Sequence, residues 1–259
     1  LIDFTGSQSA TSFQVQRVFL NSTQTEDLGV FTSGPILLQN LIANEPYYIK
    51  VRAINDYGNS HYTEVLGVVS SSSMPKVLIV NGFDRVTGTN NTFDFIRQHG
   101  DAIHQSSYLF DSANNEAVIS GKIILTDYSI VDWILGEEGT ATSAFSEKEQ
   151  SILKVFLKSG GRLFVSGSEI GYDLSGQGST SDHQFYTNYL KADYISDAAG
   201  SNVYSGYGVN NSILDGITGV TFDDGSQGTY DVDWPDGIFP VGDALICAKY
   251  DGVNYSTQG

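Results

Sequence analysis

The chain has 259 residues, enough for two domains, and its thirty Asp+Glu against thirteen Lys+Arg give a formal charge of −17. That balance argues against nucleic acid or an anionic membrane as partner, since both select basic patches, and it leaves acidic clusters able to hold a hard cation such as calcium. No apolar run approaches the ~18 residues of a membrane span, and the single cysteine, Cys247, excludes an internal disulfide. Sparse cysteine fits an exported bacterial protein, whether secreted, at the cell surface or periplasmic, and it fits a cytosolic one as well.

The first seventy residues read as short strands without helical periodicity. Phe13 to Leu20 alternates as a half-buried strand does, and further runs follow at Leu28 to Phe31, Ile36 to Leu38, Tyr47 to Asn55 and Thr63 to Val69. Even spacing of short strands predicts a β-sandwich. Leu1-Ile2-Asp3-Phe4 reads as a strand already in progress, so the sequence is expected to be a stretch of a longer chain. Ser70 to Ser73, followed by Met74-Pro75, forms a polar joint.

Past the joint, Lys76-Val77-Leu78-Ile79-Val80-Asn81-Gly82 is a continuous apolar run, the pattern of a buried parallel strand. Its exit loop carries Asp84 and Arg85. A helix is expected from Asn91 or Thr92 through Phe93, Phe95 and Ile96 towards Ile103, then a short strand at Tyr108 to Asp111. The clearest unit lies between Val131 and Leu174. An apolar strand, Val131 to Leu135, stops at Gly136-Glu137-Glu138. Ser146 and Glu149 have the spacing of a capping box, Ile152, Leu153, Val155, Phe156 and Leu157 form an apolar helix face, and Gly160-Gly161 ends it. Arg162 to Ser166 then reads as a second buried-type strand. Strand, helix and strand predict a βαβ unit with a parallel sheet. A helix is expected over Asp182 to Leu190. After residue 195 a β-rich extension is expected, clearest at Ile213-Leu214, Val220 to Phe222 and Ala244 to Tyr250.

Two resemblances follow from these residues. Leu41, Tyr47, Val51, Ala53, Asn55, Gly58 and Ser60 have the spacing of a fibronectin type III domain, and the stretch resembles one over residues 1–72, without its first one or two strands. The resemblance implies a tyrosine corner at Tyr47 and a spacer or docking role. The strand VLIVNG, the strand WILGEEG and the turn GGRLFVSGSE resemble the class I glutamine amidotransferase-like family, over residues 75–259 as a domain. That resemblance implies a flavodoxin-like parallel sheet. Within it, SGSEIGYDL and its neighbours are similar to C-terminal regions of large secreted bacterial proteins called xanthan lyase or N-acetylmuramoyl-L-alanine amidase. Polysaccharide or peptidoglycan, and other domains of the same longer chain, are the partners this implies. Where that family has its nucleophilic Cys, this chain has Gly167 or Ser168. Amidotransfer by a thiolate is thus excluded at that turn.

Ligands in open parallel sheets collect at the carboxyl ends of strands, which here carry Arg85, Glu137, Glu138, Ser168 and Glu169. Ser168 and Glu169 are the catalytic candidates, with His183 as a base for Ser168. Arg85, Glu137 and Glu138 are candidates for ligand binding, the arginine steadying the carboxylates. The bland reading of these groups is a solvated, ordinary strand-to-helix turn. Asp231, Asp233 and Asp236 resemble a calcium loop, although the third Asp falls one residue late. Turn-forming Asp-Gly pairs explain the same residues without a metal. Trp234 with Tyr204, Tyr207 and Tyr230 is a candidate stacking platform for sugar rings. Two classes of function stand: a non-catalytic accessory region, or a hydrolase or lyase centred on Ser168 and Glu169.

Overall fold

The computed structural model describes residues 1–20, 22–85, 94–139, 142–197, 203–226, 230–232 and 234–253. The architecture is mixed α/β, with three antiparallel sheets and one parallel sheet among the described residues. Two compact units divide the chain. The first takes Leu1–Asn81, Thr92–Trp133 and Gly161–Phe164, and the second takes Gly82–Asn91, Ile134–Gly160 and Val165–Gly259.

In the first unit, β1 (Ser12–Val18) lies between β2 (Thr25–Phe31) and β3 (Pro46–Asn55). Two short strands, β4 (Gly58–Asn59) and β5 (Leu66–Val69), complete this antiparallel sheet by pairing with opposite ends of β3. Alternation places Phe13, Val15, Tyr47, Ile49 and Val51 on one buried face with Ile36, and Ile2 and Phe4 pack against them. The expected strand at Ile36 to Leu38 reduces to a single bridge, Ile2 to Ile36. The Tyr47 hydroxyl accepts from the Ile42 backbone N–H at 2.8 Å, tying the strand to the turn before it.

The same unit holds β6 (Val77–Asn81), α1 (Ile96–Gln105), β7 (Phe110–Asn114) and α2 (Asn115–Ile119). Asn91, Thr92 and Phe93, expected to begin the first helix, lie outside the described residues, and α1 runs from Ile96. β6 is buried at every residue, as a strand covered on both faces must be. Asn114, the first residue of Asn114-Asn115-Glu116, is the N-cap of α2, its side chain accepting from the Ala117 N–H. Beyond the polar joint, the N-terminal sheet is bonded to this layer. Ser112 on β7 gives its hydroxyl to the Gly67 carbonyl and takes the Gly67 N–H, at 2.7 and 2.6 Å. Arg97 donates to the Phe19 carbonyl at 2.6 Å, His104 pairs with the Asn44 carbonyl at 3.0 Å, and the Tyr48 ring stacks on Phe110.

The parallel sheet has the order β7-β6-β8-β9, with β8 (Ile130–Gly136) and β9 (Arg162–Gly167). Bonds at both ends fix the sense of each pair: Ile130 N–H to the Lys76 carbonyl and Gly82 N–H to Ile134 for β6 with β8, Arg162 N–H to Ser129 and Ser168 N–H to Gly136 for β8 with β9. Connections leave β6 and β8 towards opposite edges, so the order reverses between them. The expected helix is α3 (Glu147–Lys158), and both bonds of the Ser146/Glu149 capping box are present.

The rest of the second unit begins with α4 (Thr180–Phe185), which continues into a π-helical turn at Tyr186–Leu190. β10 (Ala192–Ser196) pairs with β13 (Gly237–Pro240), and β11 (Ser205–Gly208) lies between β12 (Val220–Thr221) and β14 (Ala248–Tyr250). The extension is β-rich, as expected, but the expected strand at Ile213-Leu214 is a turn and only the end of Ala244 to Tyr250 is extended. Leu245 is exposed and Cys247 is only half-buried.

Candidate functional site

The second unit gathers most of the residues expected at a site. The β8 exit, Gly136-Glu137-Glu138-Gly139, turns because Gly136 takes φ +54° and Gly139 takes φ +146°, conformations that suit glycine. A side chain at either would collide. A Cβ on Gly136 would stand 2.3 Å from the Phe83 ring, and one on Gly139 would stand 2.8 Å from the Glu169 carbonyl oxygen. The turn is therefore wedged between the β6 exit and the β9 exit.

Glu138 is the best-held group there, only 2% exposed. One of its carboxylate oxygens accepts the backbone N–H groups of Asp84 and Arg85, at 2.8 and 2.6 Å, and the other accepts the Thr142 hydroxyl. Burial nevertheless pushes its pKa up to about 7, outweighing the N–H groups that favour the charge. Arg85 donates to the Glu137 carbonyl oxygen at 3.1 Å. Arg85, Glu137 and Glu138 are thus brought together, but through backbone groups as much as through side-chain charge. Glu137 is itself buried, and its charge pushes the Tyr230 hydroxyl up, behind burial as the larger cause.

At the β9 exit, Ser168 is buried, and its hydroxyl donates to the Gly136 carbonyl at 3.3 Å. His183 lies on α4, where its ring pairs with Asp193 at 3.3 Å. No bond among the described residues joins Ser168 to His183. Glu169 is buried beside the Gly139 turn, and its charge acts on Asp236.

Asp236 was expected in a calcium loop. Its carboxylate instead receives the Gly171 N–H at 2.5 Å and the Tyr172 N–H at 3.2 Å, closing the start of a π-helical turn, Tyr172–Gly176, that follows β9. It is 7% exposed, and burial raises its pKa to about 7, with Glu169 and Asp197 adding to the rise. Its own N–H donates to the Ser168 carbonyl, and its carbonyl accepts from the Tyr250 hydroxyl at 2.9 Å. Asp231 accepts from the Tyr204 hydroxyl at 2.7 Å, while Asp233 lies outside the described residues. Among the described residues no three His, Cys, Asp or Glu side chains are grouped to hold a metal. The four aromatic candidates also divide: Trp234 and Tyr207 are exposed, Tyr204 is engaged with Asp231, and Tyr230 packs edge-on against Phe83. No described helix is long and apolar enough to cross a membrane.

Sequence reasoning placed Glu138 and Ser168 at the strand ends but missed the partners that hold them. Asp84 reads as a loop residue, and Asp236 reads locally as an Asp-Gly turn. Nothing in either local pattern signals a carboxylate aimed at N–H groups more than fifty residues away.

No family model matches the chain. No curated protein matches it either. Among solved structures, a family 39 glycoside hydrolase from the gut symbiont Bacteroides cellulosilyticus WH2 aligns over 72% of this chain and 36% of its own, at 10% identity and a TM-score of 0.22. This chain therefore spans about a third of that protein's length, and a likeness so slight carries no argument about fold or activity.

Proposed function

We propose that the chain is a non-catalytic accessory or binding region of a secreted, multi-domain bacterial protein that acts on polysaccharide or cell wall, of the kind called xanthan lyase or N-acetylmuramoyl-L-alanine amidase. Its parts are a fibronectin type III-like N-terminal domain and a flavodoxin-like, class I glutamine amidotransferase-like domain with a β-rich extension. The Tyr47 to Ile42 bond supports the first part. The order β7-β6-β8-β9, second-first-third-fourth along the sheet, supports the second.

One observation carries the functional reading. Gly167 or Ser168 stands where the family this domain resembles has its nucleophile, and the Ser168 hydroxyl is given to the Gly136 carbonyl. A nucleophile needs a base within hydrogen-bond reach, and among the described residues no hydrogen bond joins the Ser168 hydroxyl to a histidine. The reading is tested by offering the protein peptidoglycan, xanthan-type polysaccharide and ester substrates. Binding without turnover is expected, and turnover abolished by Ser168→Ala or Glu169→Gln would overturn it.

A hydrolase or lyase around Ser168 and Glu169 is the competing reading, and one observation favours it. Asp236, raised to about 7, lies within the electrostatic reach of Glu169. Two carboxylates whose environments differ are the pattern of an acid/base pair. Loss of turnover in both Asp236→Asn and Glu169→Gln, with folding intact, would establish it.

A further inference from the structure

We infer that Glu138 is an internal oxyanion that blocks the strand-end crevice between β6 and β8 by filling an anion site made of the Asp84 and Arg85 backbone N–H groups. The inference is independent of whether the chain is an accessory region or an enzyme.

It rests on three observations. In an open parallel sheet, the crevice outside the strand ends opens where the strand order reverses, and ligands bind there. In this chain that place lies between β6 and β8. Two consecutive backbone N–H groups at the exit of β6, those of Asp84 and Arg85, converge on a single oxygen. Successive N–H groups directed at one point form a concavity that selects anions. The anion present is supplied by the chain itself: Glu138, buried, with its second oxygen taken by the Thr142 hydroxyl. Arg85 adds a fixed positive charge nearby, held at the Glu137 carbonyl. A ligand that displaces Glu138 must therefore bring a small oxyanion, carboxylate or phosphate. Among the described residues, the charged groups that act on Glu138 are Asp84, which opposes an incoming anion, and Arg85, which favours one.

The test uses the full chain, with sodium phosphate and sodium acetate as separate probes at constant ionic strength and about pH 8, where Glu138 is mostly ionised. The amide signals of Asp84 and Arg85 are followed by NMR. In Glu138→Ala both signals should move saturably with at least one probe, at an affinity ~tenfold or more above wild type. Saturation by phosphate alone assigns a phosphate-type ligand, and saturation by acetate assigns a carboxylate. A folded Glu138→Ala chain that binds neither probe overturns the inference, as does wild type binding as well as the variant. If the variant does not fold, wild type decides. Its Asp84 and Arg85 amide signals should shift together through a single protonation step, and flat signals overturn the inference.

Discussion

Asp236→Asn should change how stability depends on pH. Asp236 is almost fully buried and holds its proton up to about 7, against 3.8 as its ordinary value. Between those values the folded chain keeps a proton that the unfolded chain loses. The protonated group therefore contributes stability fully below the unfolded value, and that stability is lost as pH rises through about 7. Each tenfold step is worth ~1.4 kcal/mol, so the cost of ionising Asp236 in the fold reaches about 4 kcal/mol. An Asn there has no charge to bury and keeps one carbonyl oxygen for the Gly171 N–H, but it gives up part of the bonding to Tyr172, at a cost of about 1 kcal/mol. The variant is expected to be about 1 kcal/mol less stable than wild type near pH 4, and about 3 kcal/mol more stable near pH 8. Urea unfolding of both proteins at several pH values measures this, and the difference between the curves isolates Asp236 from Glu138, whose slope is common to both. Parallel curves, or a variant that loses most at high pH, would show that the Gly171 and Tyr172 bonds to the charge outweigh its burial, and the reasoning would fail.

Ser146→Ala removes the side-chain half of the α3 capping box and should cost ~1 kcal/mol in thermal or urea unfolding. Gly136→Ala should cost about 2–5 kcal/mol, because it combines a positive φ with a Cβ against the Phe83 ring; a loss below ~1 kcal/mol would mean that the turn re-forms around Phe83. Ser168→Ala removes one long hydrogen bond, so stability should stay within ~1 kcal/mol of wild type and binding to any polymer found should be unchanged. Cleavage within Ser70 to Met74 should leave the two pieces associated on gel filtration, since the Gly67–Ser112, Phe19–Arg97 and Asn44–His104 bonds do not depend on the joint. Separation of the pieces would show that those bonds hold only when the chain is continuous.

The readable parts of this fold are those whose signal is short-range. Val77 to Val80 is an unbroken apolar run and Val131 to Leu135 is broken only by Asp132, which is the mark of a strand buried on both faces. Ser146 and Glu149 satisfy each other three residues apart, so the start of α3 is written in four consecutive positions. The C-terminal extension is the counter-case. β10 pairs with β13 across some forty intervening residues, and neither strand has a fully buried residue to impose alternation. Ala244 to Tyr250 is apolar enough to suggest a strand, yet none of its residues is buried.

The sequence by itself determined where the strand ends fall and that carboxylates stand on them, because hydrophobic period and turn residues act between near neighbours. Only the tertiary structure decided what those carboxylates do. Glu138 and Asp236 have the same ionisable chemistry as any surface acid until the fold buries them and presents backbone N–H groups from the β6 exit and the β9 exit. Burial and those donors pull their proton affinities in opposite directions. Which of the two wins depends on distances between segments that no local pattern records.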